Sequence, residues 1–150
     1  METNGTITEI LKHKSPNLWS ITPEAMVFDA IQLMADKNVG ALLVVKEGKL
    51  VGVISERDYT RKVALKGRSS KETPVRDILS PSIISVTSHS TIEECMRLMT
   101  AHRVRHLPVL EGDSVRGIVS IGDLVNWIIS AQSFAISQLE SYITGQYHAG

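Results

Sequence analysis

Two short stretches carry residue types that could bind a phosphorylated ligand. Gly52-Val53-Ile54-Ser55-Glu56-Arg57-Asp58 and Gly117-Ile118-Val119-Ser120-Ile121-Gly122-Asp123 share a glycine, two β-branched residues, a serine and, three residues on, an aspartate. Each reads as the end of a buried strand feeding the start of a helix. A hydroxyl beside exposed N–H groups at a helix N-terminus suits a phosphate, and a carboxylate one turn on can accept hydrogen bonds from two ribose hydroxyls. The same residue types cap helices well, and capping is compatible with ligand binding. The chemistry suggested is nucleotide recognition.

The elements that must position these residues follow from the hydrophobic pattern. Ile7, Ile10 and Leu11 mark one face of a short helix before Pro16, expected to lid the domain. Leu18 to Thr22 is strand-like, and Val27, Ala30, Ile31 and Met34 mark a helical face. Gly40 to Val45 and Leu50 to Ser55 read as strands joined by a Glu47-Gly48 turn, and a helix is expected from Asp58 to about Lys66. A polar segment, Gly67 to Pro74, reads as a linker, followed by a short helical turn around Val75 to Leu79.

The pattern then starts over. A shift of 65 residues lays Ser85-Val86-Thr87 on Ser20-Ile21-Thr22. It also lays Ile92, Cys95, Met96 and Met99 on Val27, Ala30, Ile31 and Met34, and Ser120 and Asp123 on Ser55 and Asp58, without a gap. The chain is therefore two copies of a β-α-β-β-α unit, each too small to bury both faces of its strands alone. The fold class is α/β (α+β): two such repeats packed with pseudo-twofold symmetry, plus an N-terminal and a long C-terminal helix. The divisions are 1–17 for an N-terminal helical segment, 18–74 and 75–130 for the repeats, and 131–150 for a C-terminal helix extension.

On these residues, together with the strand Arg103-Val104-Arg105-His106-Leu107-Pro108-Val109, the chain resembles tandem CBS domains, named after cystathionine β-synthase. It also looks like small stand-alone CBS-pair proteins, which share an ending like Gln138 to Gly145 and the Ser55-Glu56-Arg57-Asp58-Tyr59 form of the first motif. The resemblance implies two clefts, each lined by the early threonine of one repeat and the Ser-x-x-Asp of the other. One would combine Thr22, Gly40-Ala41 or its counterpart, Ser120 and Asp123; the other Thr87, Ser55 and Asp58. It implies adenosyl ligands, AMP or NAD foremost, with ATP or S-adenosylmethionine as further members. Family members often hold phosphates with basic residues at Arg105 and His106, so the cleft of Ser120, Asp123, Arg105 and His106 is expected to be the stronger, with Arg57 a partial compensation in the other.

Other constellations are weaker. His102, His106 and Cys95 offer no fixed pair of metal ligands, Cys95 sits on an apolar helical face, and no thiolate-activating neighbour is evident, so no metal and no catalytic residue is expected. The basic residues of 56–77, Arg57, Arg61, Lys62, Lys66, Arg68, Lys71 and Arg76, read as a solvated helix face. The last helix, from about Asp123 to Thr144, carries a near-heptad seam of Val125, Ile129, Ile136, Leu139 and Ile143, with Trp127, Ile128, Phe134 and Tyr142 elsewhere around the axis. One body covers one such face, so a homodimer is expected.

Composition sets the remaining bounds. With 43% hydrophobic and few aromatic residues, the core must be largely aliphatic. Sixteen basic against sixteen acidic residues remove any global electrostatic case for nucleic acid or an anionic membrane. One cysteine excludes an intrachain disulfide and suits a reducing compartment. No signal-like or membrane-spanning apolar run is present, so a cytoplasmic protein is expected. The expected function is a non-enzymatic sensor that signals to a separate effector protein. The alternative is a nucleotide-independent adaptor that docks a partner, such as a redox enzyme, through its C-terminal helix.

Overall fold

The structure, a computed structural model, describes residues 5–14, 17–80 and 82–143. In chain order it contains α1 (Ile7–Lys12), β1 (Ser20–Ile21), α2 (Val27–Lys37), β2 (Ala41–Lys46), β3 (Lys49–Ser55), α3 (Glu56–Tyr59), α4 (Ile92–His102), β4 (His106–Glu111), β5 (Ser114–Ser120) and α5 (Ile121–Ile143). Beyond Tyr59 the helix widens into a π-helical turn, Thr60–Ala64, and Val75–Ile78 forms a 3-10 turn.

The two repeats are built alike. β1 runs parallel to β2, which pairs antiparallel with β3. In the second repeat the equivalent of β1 shrinks to a single parallel bridge from Val86 to Val109, beside the β4–β5 hairpin. The two-residue turn Glu47-Gly48 has positive φ at both positions, the backbone twist that lets a tight hairpin join right-twisted strands. Of the helical face read from the sequence, Val27, Ala30 and Met34 in α2 and Ile92, Cys95 and Met99 in α4 are buried, while Ile31 and Met96 are half-buried at its margin. Both helices end on a residue in the left-handed conformation, Asn38 and Arg103, 65 positions apart.

The segments that precede the repeats cross over. Ile7 and Ile10 of α1 are buried among Ile92, Leu107, Val119 and Leu124 of the second repeat. Val75 and Ile78 are buried among Val27, Leu42, Val44 and Ile54 of the first. The backbone repeats the exchange bond for bond. Val75 and Arg76 N–H donate to the carbonyls of Ala25 and Pro23, as Ile7 and Thr8 donate to those of Ser90 and Ser88. Glycines permit the close approach: a Cβ on Gly117 would stand 2.7 Å from Leu11, and one on Gly52 3.1 Å from Leu79. Helix α1 is thus part of a core and not the lid its short amphipathic pattern suggested, because its apolar face has strands to cover.

Helix α5 begins at Ile121, two residues before the expected start, and the expected last residue, Thr144, lies outside the described residues, as does Gly145. Leu124 and Ile128 anchor it in the core. The seam of Val125, Ile129, Ile136, Leu139 and Ile143 stays exposed in the single chain.

Candidate functional site

Ser55 and Asp58 form a reciprocal cap at the start of α3. The Asp58 N–H donates to Ser55 Oγ at 3.3 Å, and the Ser55 N–H donates to Asp58 Oδ2 at 2.8 Å. Ser120 and Asp123 repeat this at the start of α5, at 3.1 and 2.8 Å. Each motif therefore closes the hand-over from the last strand of its repeat to a helix and fixes its carboxylate in the first turn of that helix. Asp58 has Lys62 at 3.3 Å from its Oδ1. Asp123 is held more tightly: Lys14 Nζ lies 2.7 Å from its Oδ2 and also donates to the Ile118 carbonyl at 2.8 Å.

Two clefts open between the repeats, divided by Gly40 and His106, which line both. The first has an outer chamber of about 400 Å³, lined by Ser55, Arg57 and Asp58 from one repeat and Arg103, Arg105 and His106 from the other. It shares Val53, Ser80, His102, Val104 and His106 with an inner chamber of about 230 Å³, whose further walls include Ile84 and Pro108. The second cleft, about 650 Å³, is lined by Ser120, Gly40, Ala41, His106, Lys14 and Trp19 among others. Asp123 instead borders a separate groove between α1 and α5, with Lys14 lining both.

This regroups the residues read from the sequence. The resemblance groups Arg105 with Ser120 and Asp123. Its side chain lines the opposite cleft with Ser55, Arg57 and Asp58, since residues 103–105 lie between α4 and β4, where the second repeat meets α3 of the first. Only the backbone of Arg105 serves its own repeat, accepting from the Ile121 N–H at 2.9 Å. The first cleft therefore collects four arginines, Arg57, Arg61, Arg103 and Arg105, with Lys62, while the second is lined by Lys14, Lys37 and Arg116.

Thr22 and Thr87 border neither cleft. Both are exposed; the Thr22 carbonyl accepts from the Ala25 N–H, and Thr87 Oγ1 accepts from the His89 N–H at 3.3 Å. They are turn-forming residues. Ser80 lies in the position anticipated for a threonine, lining both chambers of the first cleft. The 65-residue shift that exposed the repeat also carries Ser15-Pro16 onto Ser80-Pro81, which was the available signal. The basic run of 56–77 is likewise split: Arg57, Arg61 and Lys62 line the first cleft, while Arg68 pairs with Asp77 at 3.3 Å on the surface.

The electrostatics follow from this crowding. Arg61 above all, then partial desolvation and the charges of Arg105 and Arg103, lower the pKa of Arg57, against a smaller opposing pull from Asp58. His106 is pushed below the ordinary 6.5 by burial first and by Lys14 second, with Asp123 and Asp58 pulling the other way. A Cβ on Gly40 would sit 3.4 Å from His106 Nε2, so glycine here lets the imidazole lie against the opposing backbone. Cys95 lies apart, buried in the core, with its thiol pushed up to about 11 by burial and by Glu94, the opposite of thiolate activation. Among the described residues no group of three or more His, Cys, Asp or Glu could hold a metal ion, and no helix is long and apolar enough to cross a membrane.

Known proteins share this arrangement. The family model for the CBS domain matches residues 7–65 and 75–130. CBS domain-containing protein CBSX3, mitochondrial, of Arabidopsis thaliana is 40% identical, over 98% of this chain and 78% of its own length. A solved CBS-domain protein from Burkholderia ambifaria MC40-6 is 47% identical, with a TM-score of 0.81 over 85% of this chain and 96% of that one. The structure of CBSX2 in complex with AMP is 26% identical, with a TM-score of 0.68 over 85% of this chain and 98% of that one. Two matched segments, a duplicated strand-to-helix motif and the cleft between the copies carry one conclusion: the chain belongs to the CBS domain family, as a tandem pair of the regulatory kind.

Proposed function

We propose that the protein is a non-enzymatic sensor that binds an adenosyl ligand, such as AMP, ATP or NAD, in the first cleft and passes the signal to a separate effector protein. The observation that carries this reading is the meeting of Ser55 and Asp58 with Arg103 and Arg105 across the repeat interface, next to a chamber walled by Val53, Ile84, Val104 and Pro108. The apolar walls of the chamber, beside Ser80, Ser82, His102 and His106, suit a purine, Asp58 Oδ1 a ribose hydroxyl, and the guanidinium forks a phosphate. The AMP complex of the CBSX2 relative supports the ligand class.

The second cleft is the weaker site in this reading, since its Asp123 counterpart to Asp58 borders the groove between α1 and α5, where Lys14 holds it. Ligand binding changes the balance between arrangements of the two repeats by its differential affinity for them, and no chemical step is required. The exposed seam of α5 is proposed to pair two copies into a homodimer, and the reducing interior of the cell, the cytoplasm, is the proposed setting. That same seam favours the second reading, an adaptor that docks a protein partner through α5 without nucleotide.

Heat-stability screening against AMP, ADP, ATP, NAD, NADH and S-adenosylmethionine tests the sensor. A ligand bound to the native state raises the midpoint by mass action. A flat response to all six, beside a pull-down lost on truncation after Ser130, would replace the sensor with the adaptor.

A further inference from the structure

The outer chamber of the first cleft holds more positive charge than one phosphate requires. Arg57, Arg61, Lys62, Arg103 and Arg105 face two carboxylates, Glu56 and Asp58, an excess of three formal charges with the histidines uncounted. Lys62 is matched to Asp58 at 3.3 Å. Among the described residues no carboxylate forms a salt bridge with any of the four arginines. The nearest polar contact between them is Arg57 Nη1 to the Arg103 carbonyl oxygen, at 3.4 Å.

The backbone adds an independent observation. Arg103 closes α4 at φ 54°, ψ 42°, in the left-handed region. At the same place in the first repeat stands Asn38, a residue type that tolerates this conformation. Arginine gains nothing locally from it, so the second repeat keeps a guanidinium at this cleft against the backbone preference.

A phosphomonoester carries about 1.5 to 2 negative charges at neutral pH, and a di- or triphosphate chain about three to four. A monophosphate leaves part of this cluster unmatched; the longer chain neutralises it and gives each guanidinium fork its own oxygens. Resting on the nucleotide reading above, we propose that the first cleft selects nucleotides bearing two or three phosphoryl groups over the monophosphate, with the arginines supplying the countercharge in place of a divalent cation.

Calorimetric titration in EDTA with AMP, ADP, ATP and inorganic triphosphate tests this. ADP and ATP bind at least about tenfold more tightly than AMP, with a steeper loss of affinity on adding salt, as expected for charge-assisted contacts. In the Arg103→Gln/Arg105→Gln variant the gap closes to a few-fold while AMP still binds; both residues line the outer chamber and not a core, and circular dichroism checks that the variant is folded. AMP binding as tightly as ADP and ATP overturns the selectivity and leaves the nucleotide site standing. Inorganic triphosphate binding as tightly as ATP overturns the role of the inner chamber. No binding of any nucleotide overturns the sensor itself.

Discussion

Arg57 reaches from the first repeat to the second, where its Nη1 donates to the carbonyl oxygen of Arg103 at 3.4 Å. The acceptor belongs to a residue in left-handed conformation, so one guanidinium is steadied by the backbone that presents another. The two repeats thus meet at the first cleft through paired cations, an arrangement that favours an anion between them.

The left-handed backbone at Arg103 predicts opposed effects on stability and binding. Arg103→Gly removes the Cβ penalty, partly offset by the entropy of glycine in the unfolded chain, and raises unliganded stability by up to about 1 kcal/mol. Nucleotide affinity falls in the same variant. Urea denaturation and calorimetry on one preparation check both, and a loss of stability would remove the argument for strain.

Lys14 and Asp123 predict an inequivalence of the clefts. Both side chains are largely shielded, and the pair contributes on the order of 1 kcal/mol. Lys14→Met is therefore modestly destabilising, and it frees Asp123. Calorimetric stoichiometry is expected to rise from one nucleotide per chain toward two. Two sites filled in the wild type, with equal affinity, would show that Lys14 does not guard the second cleft.

His106 predicts a pH dependence with a definite sign. Its pKa is lowered in the folded chain, by burial first and then by the positive charge of Lys14, with Arg105 adding and Asp123 and Asp58 opposing. Between the folded value and 6.5 the unfolded chain binds more protons, so stability falls as the pH is lowered through 6.5 and levels off once the folded form is protonated as well. Urea midpoints between pH 7.5 and 5 follow this slope in the wild type, and His106→Gln flattens it.

The duplication was legible because a single gapless shift of 65 preserves both the buried faces and the Ser-x-x-Asp motifs. What that shift hid is the crossing of the preceding segments. Ile7 and Ile10 correspond to Val75 and Ile78 at a spacing of 68, three residues longer, so from the sequence α1 reads as a short lid helix outside the repeat. The capping roles of Ser55 and Ser120 were readable from local chemistry, which acts within one turn. The partners of Arg105 were not, because its side chain leaves its own strand and crosses an interface between two nearly equivalent halves. Arg61 and Lys62 read as a solvated face for the same reason: nothing local distinguishes a charge on an open surface from one that lines a cleft.

The exposed seam of α5 predicts self-association. Ile136, Leu139 and Ile143 are 57, 59 and 72% exposed, and from Leu124 to Ile143 the only charged side chain is Glu140, so repulsion between like charges of two copies is confined to that one residue type at one position. Light scattering is expected to give a dimer for the wild type and a monomer for Ile136→Glu/Leu139→Glu, with little change in the melting midpoint of the monomer. A wild-type monomer at tens of micromolar would leave the seam to another protein.

The most direct measurement is a crystal structure grown with ATP or AMP. The account predicts ligand density in the first cleft, with phosphate oxygens on Arg57, Arg103 and Arg105, a ribose hydroxyl on Asp58 and the base between Val53, Val104 and Pro108. Density confined to the cleft of Ser120, or a first cleft empty at saturating nucleotide, would contradict it.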